Sequence, residues 1–367
     1  MNKFAFLLHP RKEVSEDIAM LTRNPIFKLA SDTGIEFVLR HINVPPINPG
    51  SISVPLEHSL TAAQASTGAF GHVIMVPLSA RQMLSLPQAQ VRRKINQAID
   101  RAVELGCSIV GLGALTAPVT GGGKTLIARQ DISITNGNAF TAAMTFKAIE
   151  RLRHKLPEQP HIAIVGATGS VGSCLTRLSV QHALAGKLTL MARNTGKLEK
   201  LKNETTPHVE TQTSTDMNDL ASADLVVLLT SSPDTLLQSE HLKQNAVVLD
   251  DTQPRNTHPS LLEQRPDVTL VDGGLVDMPG MTYKGSVGLP PGILFACMAE
   301  TVLLALEGQQ GHFSIGEPTL EQAEYTLALA QKFSGVGFQL SEFHAFGKPL
   351  KASQLQQPHP RFGTARI

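Results

Sequence analysis

The sequence has few cysteines and no clustered metal ligands. Its cysteines, Cys107, Cys174 and Cys297, are far apart and form no C-x-x-C pair, which argues against a disulfide framework or a zinc knuckle. The 13 histidines show no H-x-x-x-H or H-E-x-x-H spacing, so we expect no catalytic metal. The sequence also lacks a G-x-S-x-G motif, which argues against serine-hydrolase chemistry.

An excess of charge and long apolar runs are also missing. The 32 basic residues nearly balance the 31 acidic ones, so we expect no nucleic-acid partner. No segment offers the roughly 18 uninterrupted apolar residues of a membrane helix, and the first ten residues are too weakly apolar for a signal peptide. These absences and the few cysteines predict a cytoplasmic protein.

The order of apolar segments predicts an α/β protein with two domains. An N-terminal α/β substrate domain (1–156) contains the strands FAFLL, HVIMV and CSIVGLG and a helix over 87–106, with a turn-rich connection over 43–54. A doubly wound Rossmann domain (157–285) follows, with five strands from HIAIV to VTLVD. The chain then continues as a C-terminal helical segment (286–345) that carries Cys297 and a flexible tail (346–367).

A glycine-rich turn follows the first strand of the second domain. Gly166, Gly169 and Gly172 are spaced as G-x-x-G-x-x-G between a β-branched strand and a helix. Such a turn lets a pyrophosphate approach the backbone N–H groups at the helix N-terminus. We therefore assign the turn to a dinucleotide, although a purely structural turn is an alternative. The cofactor-binding residues predicted here are Gly166, Thr168, Gly169, Ser170, Val171 and Gly172.

The end of the next strand indicates which dinucleotide binds. Arg193 stands where an Asp or Glu would bind the ribose of NAD, and Lys197 follows one helical turn later. Because a cation suits a 2′-phosphate, NADPH is favoured over NADH; the alternative is a solvated loop arginine. We also assign Thr230 and Ser231, at the end of ADLVVLLTSS, to the cofactor site.

A second glycine-rich segment, TGGGKT, resembles a nucleotide-triphosphate loop only in part. The motif requires a glycine where Pro118 stands, so we interpret the segment as a flexible loop with a solvated Lys124.

An apolar helical segment, PPGILFACMAETVLLALEG (290–308), contains a thiol and a carboxylate. The prolines and glycine at its start predict that Cys297 lies in the first two helical turns, where the helix field favours thiolate; the alternative is a small core residue. Glu300 is either a buried proton carrier or a side chain that extends to the helix edge. A nucleophilic cysteine together with NADPH suggests reduction of an acyl thioester to an aldehyde.

Several segments, in this order, resemble the long-chain acyl-(acyl-carrier-protein) reductases best known from cyanobacteria. They are GLGALT (111–116), TNGNAFTAA (135–143), IVGATGSVGS (164–173), ARN (192–194), DDTQPRN (250–256), VDGG (271–274), LFACMAETVLLALEG (294–308) and FSIG (313–316). The resemblance implies that Cys297 is the acylated nucleophile.

The resemblance also implies roles for two further positions. Asn138 falls in the family's Gly-Asn-x-x-Thr motif with Thr141, although it would also suit a helix N-cap. Lys94 matches a family lysine and forms a basic cluster with Arg92 and Arg93, which would meet an acidic carrier protein or cofactor phosphates; a solvated face is the alternative. We thus predict Cys297, Glu300, Lys94 and Asn138 as catalytic residues.

These observations predict an NADPH-dependent reductase that converts a fatty acyl thioester to an aldehyde. The thioester partner is acyl carrier protein or coenzyme A, and a long-chain product implies transient membrane contact. Three alternatives stay open, namely a shikimate-dehydrogenase-like enzyme, a glutamyl-tRNA-reductase-like enzyme and a non-catalytic NADP(H)-sensing protein. Only the first and the last would be indifferent to Cys297.

Overall fold

A computed structural model describes residues 1–10, 13–42, 44–55, 68–232 and 236–351. The chain forms two compact units. The first comprises the described residues of Met1–Thr141 and Leu275–Ser341, and the second comprises those of Ala142–Gly274 and the described chain from Glu342.

The first unit is built on a six-stranded sheet. Its elements up to the unit boundary are β1 (Asn2–Leu8), α1 (Val14–Thr22), α2 (Asp32–His41), β2 (Ile47–Val54), β3 (Ala69–Met75), α3 (Ala80–Ser85), α4 (Gln88–Glu104), β4 (Ile109–Leu112), α5 (Thr116–Val119), β5 (Ser133–Thr135) and the start of α6 (Asn138–Leu152). Strands β1, β3, β4 and β5 are parallel, whereas β2 pairs antiparallel with β3. The three apolar strands and the long helix predicted from the sequence are confirmed.

One predicted connection in this unit is wrong. Most of the turn-rich stretch 43–54 forms β2, and Asn43 lies outside the described residues. The register of β2 against β3 shifts between Ile47 and Gly50, so the Pro and Gly that suggested a turn mark a β-bulge within a strand.

The second unit is a doubly wound parallel sheet, as predicted. Its elements are the rest of α6, β6 (His161–Val165), α7 (Ser170–Gln181), β7 (Lys187–Met191), α8 (Thr195–Thr205), β8 (Glu210–Ser214), β9 (Leu225–Leu228), β10 (Val247–Asp250), α9 (Ser260–Gln264) and β11 (Thr269–Asp272). The strand order is β11-β10-β9-β6-β7-β8, with parallel pairing throughout. The strands β6, β9 and β10 are buried along their whole length, which explains their continuous apolar runs.

The chain after β11 returns to the first unit. The elements there are β12 (Leu275–Asp277), β13 (Thr282–Lys284), β14 (Ile293–Phe295), α10 (Ala296–Glu307), α11 (Leu320–Lys332) and β15 (Gln339–Leu340). Strand β13 extends the large sheet by pairing with β2, and α10 packs on β1 and β4. Gly111 in β4 permits this packing, because a Cβ there would lie 2.0 Å from Oγ1 of Thr301.

The compact units differ from the predicted domains. The boundary falls inside α6 and not at 156/157, and residues 275–341 join the first unit because their strands and α10 complete its sheet and core. The predicted helical segment 286–345 therefore does not stand alone. Its two helices, α10 and α11, are present.

The predicted flexible tail begins too early. Strands β16 (His344–Ala345) and β17 (Lys348–Pro349) form a hairpin in the second unit, and the backbone N–H groups of Phe346 and Gly347 donate to Asp272. The rest of the predicted tail, 352–367, lies outside the described residues. Within the part of the chain that is described, no helix has the length and apolar character needed to cross a bilayer.

Candidate functional site

The three cysteines occupy different environments. Cys107 and Cys174 are buried, and burial raises the pKa of Cys107 to about 12. Cys297 is partly exposed. Cys297 is therefore less buried than the other two cysteines.

Helix α10 begins later than predicted. Residues Ile293–Phe295 form β14, which pairs with β12, so the helix starts at Ala296 and Cys297 lies in its first turn. The N-cap residue Phe295 supplies no side-chain hydrogen bond within the described structure. The thiol thus lies at the positive end of a helix, as the sequence predicted.

Gly137 forms the surface against which Cys297 rests. It lies between β5 and α6 with a φ of 76°. A Cβ added to Gly137 would lie 2.4 Å from Cβ and 2.5 Å from Cα of Cys297. Only a glycine therefore fits at this turn, both for its left-handed backbone and for the close approach.

The buried side chain of Glu300 supports the turn at Gly137 through hydrogen bonds. Its side chain is fully buried, one oxygen accepts from Oγ1 of Thr135, and the other accepts from the N–H of Phe140 at 2.7 Å. Burial raises the pKa of Glu300 to about 7, and hydrogen bonds from Thr135 and from the backbone N–H groups of Phe140, Gly137 and Ala139 oppose that rise. The carboxyl group therefore caps the N-terminus of α6. Of the two alternatives for Glu300, the side chain that extends to the helix edge is therefore wrong.

Asn136, which was not among the predicted site residues, joins three loop segments. Its amide nitrogen donates to the carbonyls of Gly122 (3.1 Å) and Gly316 (3.0 Å). Its oxygen accepts from Ser314 Oγ (2.7 Å) and from the N–H of Asn138 (3.0 Å). The bond to Asn138 is an Asx turn, and the motif N-x-N ahead of a helix was the signal that could have revealed it.

Asn138 itself does not occupy the cap position that was the alternative to a catalytic role. It is the first residue of α6 and partly exposed, so the N-cap alternative is wrong. The N-terminal N–H groups of α6 are bonded instead by Asn136 and Glu300. The catalytic role suggested for Asn138 stays a prediction.

The TGGGKT loop packs against the FSIG segment. The N–H of Gly316 donates to the carbonyl of Gly122 at 2.8 Å, and a Cβ on Gly122 would lie 2.8 Å from Cα of Gly316. Lys124 is exposed, as predicted. The loop thus contributes, through Asn136, to the support of the Gly137 turn.

Lys94 is buried and not part of a solvated face. Only 6% of it is exposed, and its Nζ donates to the carbonyl of Val44 at 3.0 Å. Burial lowers its pKa, with a smaller effect from the nearby charge of Arg93. Arg93 is exposed and Arg92 is partly buried, so the predicted cluster does not present all three cations to solvent. A catalytic role for Lys94 stays a prediction.

The glycine turn of the second unit has the geometry of a phosphate-binding turn. Gly166 follows β6 with a φ of 92°, and its carbonyl accepts from the N–H of Gly169 at 2.9 Å. A Cβ on Gly172 would lie 2.3 Å from that same carbonyl oxygen. Helix α7 begins at Ser170, directly after Gly169, so Gly172 lies in its first turn. Thr168, Ser170 and Val171 are partly exposed and Gly169 is exposed, so the turn is open to a ligand.

The other predicted cofactor residues follow the neighbouring strands. Arg193 and Lys197 are exposed beyond β7, whose last residue, Met191, accepts from the N–H of Gly166 at 2.8 Å. Thr230 and Ser231 follow β9, and Thr230 Oγ1 donates to Asn256 at 2.6 Å. Because β9, β6 and β7 are adjacent and parallel, all these residues lie at one edge of the sheet, where such folds bind nucleotides.

Two carboxylates at the end of β10 were not assigned from the sequence. Asp250 is buried and accepts from the hydroxyls of Thr252 and Thr257, so it shapes the DDTQPRN loop. Asp251 accepts from Thr145 Oγ1 at 2.5 Å, and burial raises its pKa to about 7. A Cβ on Gly274 would lie 2.2 Å from Oδ1 of Asp251, which explains a glycine in VDGG.

Comparisons with known proteins show what parts of the chain are similar to. Residues 149–272 match a family model described as shikimate / quinate 5-dehydrogenase. The chain is 29% identical over 325 residues to Aminotransferase PigE of Serratia sp., covering 86% of this chain and 37% of that protein. It is also 29% identical over 250 residues to the long-chain acyl-[acyl-carrier-protein] reductase of Synechococcus elongatus, covering 63% of this chain and 72% of that protein. The chain thus spans little more than a third of the first relative.

A solved structure is similar at lower identity. The iminosuccinate reductase of Paracoccus denitrificans, solved with NAD+, aligns with a TM-score of 0.31 and 15% identity over 56% of this chain and 67% of that one. The strand order, the glycine turn and the family match make the second unit an NAD(P)-binding Rossmann domain. The predicted fold class and the predicted class of cofactor are confirmed.

Proposed function

We propose that this chain is an NADPH-dependent acyl-thioester reductase that releases an aldehyde through a covalent thioester on Cys297. The observation that carries the proposal is the place of Cys297, partly exposed in the first turn of α10 and held against Gly137. A thiol used only for packing needs neither exposure nor a helix N-terminus. The similarity to a long-chain acyl-[acyl-carrier-protein] reductase supports the substrate class.

Cys297 performs the covalent steps. Its thiolate attacks the thioester carbonyl, the acyl–sulfur bond to the carrier breaks, and the carrier leaves as a thiol after taking up a proton. When bound, NADPH supplies the hydride that reduces the acyl group. The resulting thiohemiacetal on Cys297 then breaks its carbon–sulfur bond, which releases the aldehyde and returns the cysteine. The carbon is reduced by two electrons, so one NADPH is consumed per aldehyde.

The Rossmann unit would hold NADPH at the edge described above. The pyrophosphate would be bound by the turn from Gly166 to Gly172, at the N-terminus of α7. Arg193 and Lys197 would bind the 2′-phosphate, because both are exposed beside this turn at the end of β7. Thr230 and Ser231 complete the proposed set.

Glu300 serves the proposed reaction by positioning. Its carboxyl group is fully buried and bonded to Thr135 and to the start of α6, so it is unsuited to exchange protons with a substrate. We assign it, with Asn136, to holding Gly137 in the place that supports Cys297. Both are positioning residues, since neither needs to touch the acyl group.

The donor and the cellular setting belong to the proposal as well. An acyl carrier protein or coenzyme A would deliver the acyl group, with no nucleic acid involved, in the cytoplasm. A dehydrogenase of the shikimate type is the second candidate, because the family match covers the Rossmann residues 149–272. Such an enzyme would form no bond to Cys297.

A product assay tests the proposed function. Purified protein is incubated with palmitoyl thioesters of acyl carrier protein and of coenzyme A, and NADPH oxidation, free thiol and fatty aldehyde are measured together. We expect the three in equal amounts. Cys297→Ala should abolish aldehyde formation, whereas Cys107→Ala, at a buried cysteine, should retain it. Turnover of shikimate by the Cys297→Ala variant would instead favour the second candidate.

A further inference from the structure

Exposed apolar side chains are concentrated in one short segment of the first unit. Of the nine large apolar side chains that are exposed in the described chain, five lie between Pro25 and Ile42. We call this stretch the 25–42 segment. Its exposed members are Ile26 (62%), Leu29 (87%), Phe37 (63%), Val38 (40%) and Ile42 (58%). Single exposed apolar residues are ordinary, but a contiguous group marks an interaction surface.

Helix α2 within the segment is apolar on two faces. Ile35 and Leu39 face inward and pack with residues of α1 and with Met75. Phe37 and Val38 lie on the outward side and stay exposed. A helix that covers only a protein core would be polar on its outer face, so the outer face of α2 is built for a second apolar environment.

In the 25–42 segment, the acidic side chains are partly buried and the basic ones are exposed. Asp32 accepts from the N–H of Ser15 at 2.8 Å, and Glu36 accepts from Ser79 Oγ at 2.5 Å, so both carboxylates are bonded within the protein and partly buried. The exposed charged side chain of α2 is Arg40, and Lys28 is exposed in the preceding turn. His41 is also exposed, and its ring packs against that of Phe37 at a tilt of 42°, with ring centroids 4.4 Å apart.

Acidic side chains near the segment line a surface cavity to which Lys28 also contributes. Glu13, which precedes α1, and Glu16 and Asp17 in α1 line a surface cavity of about 520 Å³ together with Arg23 and Lys28. The outer face of α2 contributes no residue to that cavity. Lys28 thus lies beside acidic side chains, whereas Arg40 and the exposed apolar residues of α2 line no part of this cavity.

We propose that the 25–42 segment docks this protein on the surface of an anionic lipid membrane, with Leu29, Phe37 and Ile42 in the interfacial layer and Lys28 and Arg40 at the headgroups. Apolar side chains flanked by cations on a short helix are the arrangement of interfacial helices. A soluble acidic partner would match the cations but would leave the outward aromatic and aliphatic side chains unexplained.

The position of the segment in the first unit suits such docking. The core under α2 contains Met75, the last residue of β3, and Leu8 and Ile47 pack against it. Because β1, β3 and β5 are parallel, the segment lies at the same edge of the sheet as the Gly137 turn after β5. Docking there would bring this edge of the sheet to the membrane, in which long acyl chains and fatty aldehydes dissolve. The lipid proposal itself does not require the proposed reductase activity.

Vesicle sedimentation tests the proposal. The full chain is spun with sucrose-loaded vesicles of phosphatidylcholine alone, or of phosphatidylcholine with 30 mole per cent phosphatidylglycerol, without any thioester or cofactor. We expect binding to the anionic vesicles that is at least tenfold stronger than to neutral ones and that weakens in 0.5 M salt. The double variant Leu29→Ser/Phe37→Ser and the variant Arg40→Glu should each lose most of it.

A matched control shows whether the loss of binding is specific to the 25–42 segment. The double variant Ile127→Ser/Tyr325→Ser changes two apolar side chains that are exposed elsewhere, by 53% and 39%, and should bind like the parent protein. The proposal would be overturned if both double variants lost vesicle binding equally, or if the parent protein did not bind the anionic vesicles. A dimer, seen by light scattering, that only Leu29→Ser/Phe37→Ser dissociates would also overturn it, because the segment would then join two copies of the chain.

Discussion

Gly137 and Cys297 are in van der Waals contact, so close that a single added methyl group would lie 2.4 Å from the cysteine Cβ. The two residues are far apart in sequence and lie at the starting points of different helices, α6 and α10. This contact supports Cys297 on the side that faces Gly137. The buried side chains of Glu300 and Asn136 hold the turn at Gly137 in place.

The contact predicts the effect of Gly137→Ala. The methyl group must displace Cys297, and a displacement of about 1 Å at a reacting atom costs roughly 100-fold in rate. We therefore expect kcat/KM for aldehyde formation to fall by about that factor. The matched control is Gly311→Ala, which also has a left-handed φ (73°) but no described atom within 4 Å. Gly311→Ala should lose about 1 kcal/mol of stability from its left-handed backbone alone. Gly137→Ala should lose more, because the overlap with Cys297 adds to that strain, and only Gly137→Ala should lose activity.

The buried carboxyl group of Glu300 predicts a pH-dependent stability. Its pKa in the folded chain is about 7, above the ordinary 4.5, so folding favours the protonated form. The stability that it contributes is complete below about pH 4.5 and is lost as pH rises through 7, by on the order of 3 kcal/mol. Glu300→Gln removes this dependence and adds a uniform loss of about 1–3 kcal/mol, because the amide nitrogen cannot accept a hydrogen bond.

Urea unfolding of parent and variant at pH 5 and pH 8 measures that difference. The deficit of Glu300→Gln should be larger at pH 5 than at pH 8. Glu317→Gln, at an exposed position, should change the free energy of unfolding by the same small amount at both pH values. A deficit that does not change with pH would mean that Glu300 is ionised alike in the folded and unfolded chain.

The glycine turn predicts how a side chain would affect cofactor binding. In Gly172→Ala the methyl group would meet the carbonyl oxygen of Gly166 at 2.3 Å, so the turn must open and the start of α7 must move. We expect NADPH affinity, measured by calorimetry, to fall at least roughly tenfold, about 1.4 kcal/mol. Gly196→Ala in α8, whose nearest neighbour would be 3.6 Å away, should bind NADPH normally. Unchanged affinity in Gly172→Ala would place the dinucleotide elsewhere.

Arg193 should determine whether the protein binds NADPH more tightly than NADH. A charge-assisted hydrogen bond to the 2′-phosphate is worth about 1.5–3 kcal/mol, so Arg193→Ala should weaken NADPH binding by roughly 10- to 100-fold and leave NADH binding unchanged. Lys200→Ala removes an exposed cation from the same helix region and serves as control. Equal losses for NADPH and NADH would show that Arg193 does not contact the 2′-phosphate.

Local sequence patterns were sufficient for most of the fold. The strands β1, β3, β4, β6, β9 and β10 each contain an apolar run because most of their residues are buried, and the pattern predicts each of them. Strand β8 was missed because ETQTS is a polar, half-exposed edge strand without such a run. Strand β2 was missed because Pro49 and Gly50 mark its bulge.

The candidate site was predicted in part, and the reason is sequence separation. The glycine turn and Cys297 carry local signals, so their places were anticipated. Glu300 and Asn136 act through partners far along the chain, since Glu300 bonds Phe140 across 160 residues and Asn136 bonds Gly316 across 180. No local pattern predicts such contacts, which explains why the sequence offered Asn138 as an alternative cap of α6 and not these two side chains.

The proposed acyl-enzyme is tested most directly by intact-mass measurement. The protein is mixed with a palmitoyl thioester of acyl carrier protein or coenzyme A in the absence of NADPH, and the modified peptide is mapped. We expect a single palmitoyl adduct on Cys297 that disappears, with release of fatty aldehyde, when NADPH is added. An unmodified Cys297 in a preparation that still makes aldehyde would contradict the proposed mechanism.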